Sequence, residues 1–434
     1  MTTMTRLATL PPGPTAPRAV QGAYALTRPL RGMQRLKDRY GDAFTVNVPI
    51  FGNAVVISGP AEIKQLFTSG PELVDNLEVN LGRVLGPRSM FALSGAEHKR
   101  QRKLLVPPFH GRRLAAYEKI VEEETVRELA TWPEGKAFAT LPSMMRITLN
   151  AILRAVFGAE GAEFAELREL LPPFVTLGSR LAVLPIPKRG RFNPWRRFER
   201  MRREYDAIVD RLIAKARADD KDRDDVLSMM LQTRYDDGSG LSREEISDQL
   251  LTLLTAGHET TATTLAWAVE RLRRHPALLA ELTEADDTKL LDATILEVQR
   301  TRPVIDLTAR QVKQDGFRLG RWTLPKGYAV LVSIALIHDD DRVFPHAATF
   351  DPHRFEGARP DLYQWIPFGG GTRRCLGAAF ATMEMTVVLR TLLRDFTLVP
   401  TEEPGERWHS RGVAYAPAKG GRAVVRRRMT GGNP

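Results

Sequence analysis

The chain has 434 residues, of which 43% are hydrophobic and 26% are charged, a composition typical of globular proteins that argues against extensive disorder. Its one cysteine, Cys375, excludes an internal disulfide and any metal site made of several cysteines, and it indicates a reducing compartment. The formal net charge of +11 permits an anionic partner. The basic residues do not form the stripe typical of nucleic-acid-binding modules, so we expect no nucleic-acid partner.

Residues 1–22 are rich in proline and glycine and predict an N-terminal tail. The apolar run that opens the chain is too short for a signal peptide or a membrane anchor. We therefore expect a cytoplasmic protein with no membrane anchor. Two β-rich runs follow, at 43–48 and 53–58, and the PIFG turn between them predicts a hairpin.

From residue 61 to about residue 310 the spacing of apolar residues is mostly helical. The clearest predicted helices are 114–131, 145–157, 196–217, 242–274 and 288–300. Short strands are predicted within 316–335, irregular structure over 338–373 and a last helix over 375–394. Since no segment has the composition of a flexible linker, we predict a single domain over residues 23–434, mainly α with small β-sheets near both ends of the chain.

The cysteine lies in the loop FGGGTRRCLG, residues 368–377. Three glycines allow a sharp turn and close approach to a flat group, and Arg373, Arg374 and a helix that begins at Cys375 would favour a thiolate. A free cysteine is most often a buried structural thiol, and a catalytic nucleophile would need a general base, which the nearby sequence lacks. A single thiolate on a metal indicates that a cofactor supplies the other ligands, as haem does.

The same loop resembles the haem-binding loop of the cytochrome P-450 superfamily, F-x-x-G-x-R-x-C-x-G. The matching residues are Phe368, Gly371, Arg373, Cys375 and Gly377. The resemblance extends from about residue 10 to the C-terminus. It implies the single-domain cytochrome P-450 fold, with haem b as the cofactor, Cys375 as the iron ligand and Phe368 beside the haem.

A long helical pattern over 246–274 contains the sequence AGHETT at 256–261. A zinc-protease H-E-x-x-H motif is excluded because Ala262 stands where the second histidine is required. The segment is similar to the A-G-x-[DE]-T motif of the same superfamily. The resemblance implies that Ala256 and Gly257 leave space for dioxygen and that Glu259 and Thr260 deliver protons, while His258 occupies a variable position.

Two groups of charged residues complete the resemblance. Glu297 and Arg300, three apart on a predicted helix, are similar to the E-x-x-R motif, and with Arg354 they would form a buried structural network. The superfamily also holds the two haem propionates with cationic side chains. The residues at the matching positions are His98, Arg102, Arg310 and Arg373.

The resemblance implies a monooxygenase that inserts one atom of O2 into an apolar small molecule, of the lipid, steroid, terpenoid or aromatic class. Substrate contacts would come from about 76–96, 170–195 and 304–308, and from the helix before Thr260. Candidate side chains in these segments are Leu81, Val84, Phe91, Leu93, Val304, Ile305, Asp306 and Leu307.

We expect a monomer that receives electrons from a ferredoxin-type donor with a separate reductase, because no dinucleotide-binding or P-loop motif indicates a fused reductase. A basic docking face for that donor is predicted. Its members are Lys99, Arg100, Lys103, Arg112, Arg113 and Arg374. The alternatives are a peroxygenase that uses H2O2 and a non-catalytic haem carrier or sensor.

Overall fold

A computed structural model describes residues 9–27, 29–77, 80–109, 111–158, 161–183, 193–218, 225–284 and 288–428. The helices are α1 (Arg18–Thr27), α2 (Pro29–Tyr40), α3 (Pro60–Thr68), α4 (Asn80–Leu85), α5 (Gly95–Leu105), α6 (Arg112–Leu129), α7 (Leu141–Phe157), α8 (Ala162–Val183), α9 (Pro194–Ala218), α10 (Val226–Gln232), α11 (Arg243–Leu272), α12 (Pro276–Glu284), α13 (Lys289–Thr301), α14 (Ile334–His338) and α15 (Ala378–Asp395). The strands are β1 (Ala43–Val48), β2 (Gly52–Ile57), β3 (Val74–Asp75), β4 (Phe138–Ala139), β5 (Leu307–Val312), β6 (Phe317–Leu319), β7 (Trp322–Leu324), β8 (Ala329–Ser333), β9 (Phe396–Leu398), β10 (Trp408–Ser410), β11 (Tyr415–Pro417), β12 (Arg422–Ala423) and β13 (Val425–Arg427).

The centre of the fold is α11, a helix of 30 residues. It begins at a capping box, in which the Ser242 hydroxyl accepts from the Glu245 amide and the Glu245 side chain accepts from the Ser242 amide. Beyond that first turn α11 packs against α7 and α15. The helix that carries the AGHETT sequence therefore lies beside the helix that follows the cysteine loop.

A five-stranded sheet, in the order β1-β2-β8-β5-β3, joins distant parts of the chain. β1 and β2 form the predicted antiparallel hairpin, in which Ala43 pairs with Ile57. β2 then pairs in parallel with β8, and β5 pairs antiparallel with β8. Because N-terminal and C-terminal strands share this sheet, the helices and sheets form one domain, as the sequence predicts.

The Pro-rich segment before residue 22 is attached to the sheet where the sequence predicts a tail. The carbonyls of Pro11 and Pro12 accept from the Thr45 hydroxyl at 2.7 Å and the Thr45 amide at 3.0 Å. Thr9 pairs with Thr323, and α1 begins at Arg18. Proline fixes an extended backbone whose carbonyls stay free to accept, so this composition suits a sheet edge. Residues 1–8 of the predicted tail lie outside the described residues.

The predicted network of Glu297, Arg300 and Arg354 is present. Arg300 donates from Nε and Nη2 to the two carboxylate oxygens of Glu297, at 2.7 and 2.6 Å, and both side chains are fully buried. Arg300 also donates to the carbonyls of His338 and Thr349, and the Arg354 Nε lies 3.4 Å from Glu297. These bonds fasten α13 to the irregular segment before the cysteine loop.

No helix among the described residues combines the length and apolar composition needed to cross a membrane.

Candidate active site

The cysteine loop turns against the Phe67 side of α3. Gly369 and Gly371 have φ angles of 65° and 64°, which favour glycine. A Cβ atom on Gly370 would lie 2.1 Å from the Phe67 ring, so this backbone approaches α3 too closely for any side chain. The Phe368 carbonyl accepts from the Cys375 amide at 2.9 Å, which closes the loop. In the described structure these glycines allow the loop to approach α3, and their predicted approach to a flat group stays a prediction.

The environment of the cysteine differs from the prediction in two respects. The last helix begins at Ala378 and not at Cys375, because residues 371–373 form a 3-10 turn and Arg374 is extended. Cys375 keeps an exposed surface, but the protein atoms crowded around its thiol desolvate it and raise its pKa. The Gly377 amide and the charges of Arg102 and Arg374 oppose that shift without reversing it. The sequence predicts that Arg373 and Arg374 place positive charge near the sulfur of Cys375. In the structure Arg374 does so, and Arg102 takes the place of Arg373.

Arg373 points away from the sulfur and anchors the segment before α5. Its Nη2 donates to Asp75 Oδ1 at 2.6 Å and to the Leu93 carbonyl at 2.6 Å, and its Nη1 donates to the Met90 carbonyl at 3.1 Å. Asp75 Oδ2 accepts from the Gly95 amide at 2.6 Å. Burial would raise the pKa of Asp75, but the bonds from Arg373 and Gly95 lower it below its ordinary value.

The four predicted propionate ligands come together around this ion pair. Arg310 is buried on β5 and donates from Nη2 to the Gly370 carbonyl at 2.9 Å. Burial and the charge of Arg373 lower the pKa of Arg310 to about 10. Burial, Arg373 and Arg102 lower the pKa of His98 to about 4, so His98 is neutral at physiological pH.

The cluster has an excess of positive charge. Three guanidinium groups, of Arg102, Arg310 and Arg373, face one carboxylate, that of Asp75, while His98 is neutral. The buried Nε of Arg373 has no hydrogen-bond partner among the described residues. Buried charge persists only where it is paired. A ligand with two carboxylates, such as haem, would neutralise the two remaining charges.

On α11, the predicted proton-delivery residues face two different partners. The Thr260 hydroxyl donates to the Ala256 carbonyl at 2.8 Å, which leaves its oxygen free to accept. Glu259 is buried, and its Oε1 accepts from Arg411 Nε at 2.8 Å. Arg411 follows β10 and is 152 residues away in the chain, so no local pattern in the sequence could have indicated it.

Packing explains only one of the other positions of this motif, that of His258. His258 is buried, its Nδ1 bonds to the Leu254 carbonyl at 2.7 Å, and burial lowers its pKa. A Cβ on Gly257 would lie 3.5 Å from Ile152, an ordinary contact. The packing of the described residues therefore does not by itself require glycine at 257. Ala256 keeps an exposed surface, on the turn of α11 before Thr260.

Glu384 on α15 is a buried acid that the sequence analysis did not single out. It is fully buried, and neither carboxylate oxygen has a hydrogen-bond partner of good geometry among the described residues. Burial raises the pKa of Glu384 well above its ordinary value, and the Thr261 hydroxyl only partly opposes this.

The predicted substrate segments are only partly described. Val84 and Leu93 are buried, and Val84 belongs to the core, whereas Phe91 is 40% exposed. Ile305, Asp306 and Leu307 are half-buried. Residues 184–192, within the predicted segment 170–195, lie outside the described residues.

Residues 11–420 match the cytochrome P-450 family. The chain is 56% identical over 426 residues to cytochrome P-450 138 of Mycobacterium tuberculosis, which covers 96% of this chain and 97% of that protein. Cytochrome P-450 135B1 of the same species is 39% identical over 433 residues, covering 96% and 91%. The chain belongs to the cytochrome P-450 family. This cytochrome P-450 is accordingly a haem-iron oxidoreductase of the monooxygenase type.

A solved structure also resembles this cytochrome P-450 closely. Cyanobacterial CYP120A1, with retinoic acid bound, superposes with a TM-score of 0.85 at 25% identity, covering 97% of this chain and 100% of that chain. The sequence prediction of a mainly helical cytochrome P-450 fold is confirmed.

We predict that Asp75→Asn lowers the free energy of unfolding by about 3 kcal/mol at pH 7, because it leaves the Arg373 guanidinium unpaired. The Asp75 pKa is lowered in the folded protein, so its contribution is present above the unfolded-state pKa of about 4 and is lost as pH falls through the lower folded value. The difference in the free energy of unfolding between wild type and Asp75→Asn should therefore shrink below pH 4.

Urea unfolding at pH 7 and pH 3 measures this difference. Asp236→Asn, a change at an exposed aspartate, is the control and should alter stability little. An equal difference between wild type and Asp75→Asn at both pH values would contradict the ion-pair assignment.

Proposed function

We propose that this cytochrome P-450 binds haem b with Cys375 as the iron ligand and inserts one atom of O2 into an apolar small molecule. The observation that carries the assignment is the excess of two positive charges beside the cysteine loop, on the buried Arg310 and the half-buried Arg102, which the two haem propionates would neutralise. When bound, the haem supplies the iron that activates dioxygen. The domain that binds it begins before residue 23, since residues 9–22 are attached to its sheet.

Different residues of the chain would hold the haem propionates and fix the cysteine loop. His98, Arg102, Arg310 and Arg373 would hold the propionates, and the Arg373 Nε is a buried donor still without a partner among the described residues. Arginine suits a carboxylate because its planar fork donates two parallel hydrogen bonds. Phe368 fixes the loop through the bond from Cys375 to its carbonyl, and its ring packs against Trp365 with centroids 6.0 Å apart.

Proton delivery is the proposed function of Glu259 and Thr260. The Thr260 oxygen can accept a hydrogen bond from one side while its hydroxyl donates to the Ala256 carbonyl on the other. Glu259 is held by Arg411 through a bond of 2.8 Å, which orients its carboxylate. Ala256 has no bulky side chain, which leaves room on this turn of α11. An intact acid–hydroxyl pair favours a monooxygenase over a peroxygenase or a haem carrier.

An apolar substrate is supported by the family and by the solved relative, whose ligand is retinoic acid. Ile305 and Leu307 are half-buried at the start of β5, next to the strand residues that contact the cysteine loop. We propose these side chains as part of an apolar pocket wall.

The iron-ligand assignment is tested by changing the cysteine. Wild type should bind haem, and its reduced carbon monoxide complex should show the red-shifted Soret band of a thiolate-ligated haem. Cys375→Ala should lose that band entirely, because no other cysteine exists in the chain. Cys375→Ser, which keeps the size of the side chain, is the second variant. Retention of the band in either variant would refute the assignment.

We predict that Thr260→Ala lowers product formed per electron several-fold, with the lost electrons appearing as peroxide, because proton delivery to oxygen fails. Product, oxygen consumption and peroxide are measured with one substrate. Thr263→Ala is the matched control, since the Thr263 hydroxyl also donates to the carbonyl four residues earlier, Glu259, but is fully buried in the core. Equal coupling in wild type and Thr260→Ala would contradict the relay.

Electrons should arrive from a ferredoxin-type donor at the face formed by α5. Arg102 of α5 is close enough to Cys375 for their charges to interact, so this helix lies beside the cysteine. Lys99 and Lys103 are exposed on α5. Arg100 is also exposed, but its guanidinium lies over the Tyr235 ring, 4.0 Å from the centroid, and the side chain of Arg112 lies outside the described residues. Lys99 and Lys103 are therefore the better positions for testing the predicted face.

We predict that reduction by an acidic ferredoxin slows as salt rises, and that Lys99→Glu with Lys103→Glu slows it about tenfold at low salt, because charge complementarity governs the encounter rate. Stopped-flow reduction measures the rate. Lys326→Glu, on the turn between β7 and β8, is the control and should leave it unchanged. Reduction rates that change neither with salt concentration nor with the two charge-reversing substitutions would rule out this docking face.

A further inference from the structure

Asp306 immediately precedes β5, and its position in the pairing pattern places it on the side of the strand that faces the cysteine loop. Its carbonyl accepts from the amides of Ile334 and Ala335 at 2.8 and 3.3 Å, which continues the β5–β8 ladder by one residue. Side chains alternate along a strand, so Asp306 shares a face with Thr308 and Arg310. The Arg310 side chain donates to the Gly370 carbonyl of the cysteine loop.

Asp306 lies two positions before Thr308 in the chain, a translation of about 7 Å along an extended strand. A Cβ atom on Gly369 would lie 4.0 Å from the Thr308 hydroxyl. Asp306 therefore lies on the same face of the strand as Thr308 and Arg310, which lie against the cysteine loop, and it is farther along the strand from the cationic cluster than Thr308. It is half-buried and keeps accessible surface.

Tyr415 of β11 belongs to a segment that bonds to the residues just before Asp306. The Tyr415 amide donates to the Val304 carbonyl at 2.8 Å, which seats the start of β11 on the segment that carries Asp306. Burial and the charge of Asp306 raise the pKa of Tyr415. An acid and an aromatic residue are thus carried by two segments that are bonded to each other, together with the apolar residues Val304 and Ile305.

No ion pair joins Asp306 to a cationic side chain in the described part of the chain. Its carboxylate accepts only from backbone amides, its own and that of Leu307. Burial raises the pKa of Asp306 to about 6, and these amides partly oppose the shift. An acid in apolar surroundings that no cation compensates is costly to stability. Such groups are characteristic of ligand sites.

We propose that Asp306 and the Tyr415 ring form a subsite for a positively charged amine or ammonium group on an otherwise apolar substrate. The inference rests on the proposed function, because it places the subsite in the substrate space of the monooxygenase. A carboxylate attracts the cation, and the face of an aromatic ring adds a cation–π contribution. A substrate with a carboxylate at this end would be repelled.

The subsite should depend on pH through Asp306. Above pH 6 the carboxylate is ionised and attracts a cation, and below pH 6 it becomes neutral and the attraction is lost. The titratable groups near it do not change charge in this range. The pKa of Tyr415 lies above its ordinary value, His338 of the adjacent α14 has a pKa of about 3, and Arg310 on the same strand has a pKa of about 10.

Matched probes test the proposal. The haem-loaded protein is titrated with para-butylphenyl-trimethylammonium and with its neutral carbon isostere, para-butyl-tert-butylbenzene. A quaternary ammonium cannot ligate iron, so calorimetry and the haem spectrum both report binding in the pocket. We expect the cation to bind about tenfold more tightly than the isostere at pH 7.5 and to lose that advantage at pH 5, while the affinity for the isostere stays constant.

Asp306→Asn should weaken binding of the cation about tenfold and remove its pH dependence, with the isostere unaffected. Asp236→Asn removes an exposed acid elsewhere and should change nothing. Equal affinity for the two probes in wild type, failure of the cation to bind, or an unchanged cation affinity in Asp306→Asn would each overturn the proposal. Failure of the proposed function is distinguishable, since it would appear as loss of the thiolate-type carbon monoxide band in wild type.

Discussion

Positive charge buried beside the Cys375 loop is the constraint on which the candidate site depends. Arg310 and Arg373 repel each other strongly enough that Arg373 contributes to the lowered pKa of Arg310. Asp75 compensates only one of the charges present. The bonds from Arg373 to Met90, Leu93 and Asp75 also fasten the segment before α5 to the cysteine loop. An anionic cofactor at this place would therefore stabilise both the cluster and that segment, by the linkage that couples binding to stability.

A comparison with the network on α13 shows what distinguishes a ligand site from a structural one. Glu297 uses both oxygens for Arg300, accepts from the Asp351 amide at 2.9 Å and leaves nothing for a ligand. The guanidinium of Arg300 is likewise completed by backbone carbonyls. In the cluster around Arg373, by contrast, the buried Nε of Arg373 has no hydrogen-bond partner among the described residues, and two positive charges have no compensating carboxylate. Both arrangements are buried and ionic, but only the second has capacity for a cofactor.

The sequence predicted the features that depend on local pattern. The hairpin of β1 and β2, the long central helix and the three-residue spacing of Glu297 and Arg300 each follow from periodicity or from a short motif. Asp75 and Arg373 are 298 residues apart, and Glu259 and Arg411 are 152 apart. No local pattern contains such pairs, because they form only when β3 and β10 are brought to the helical core. Because the distant partner Asp75 is not visible in the local sequence, Arg373 was expected to place its charge near the sulfur of Cys375, two residues away.

The hairpin of β10 and β11 connects the two sides of the site. Arg411 at its turn holds Glu259 of α11, while Tyr415 on its second strand lies beside Asp306. The hairpin is also fastened to α8, because the Val413 amide donates to the Ser179 hydroxyl at 2.9 Å. Only three residues, 412–414, separate Arg411 from Tyr415. The orientation of the Glu259 carboxylate and the position of Tyr415 at the start of β11 therefore depend on one short structural element.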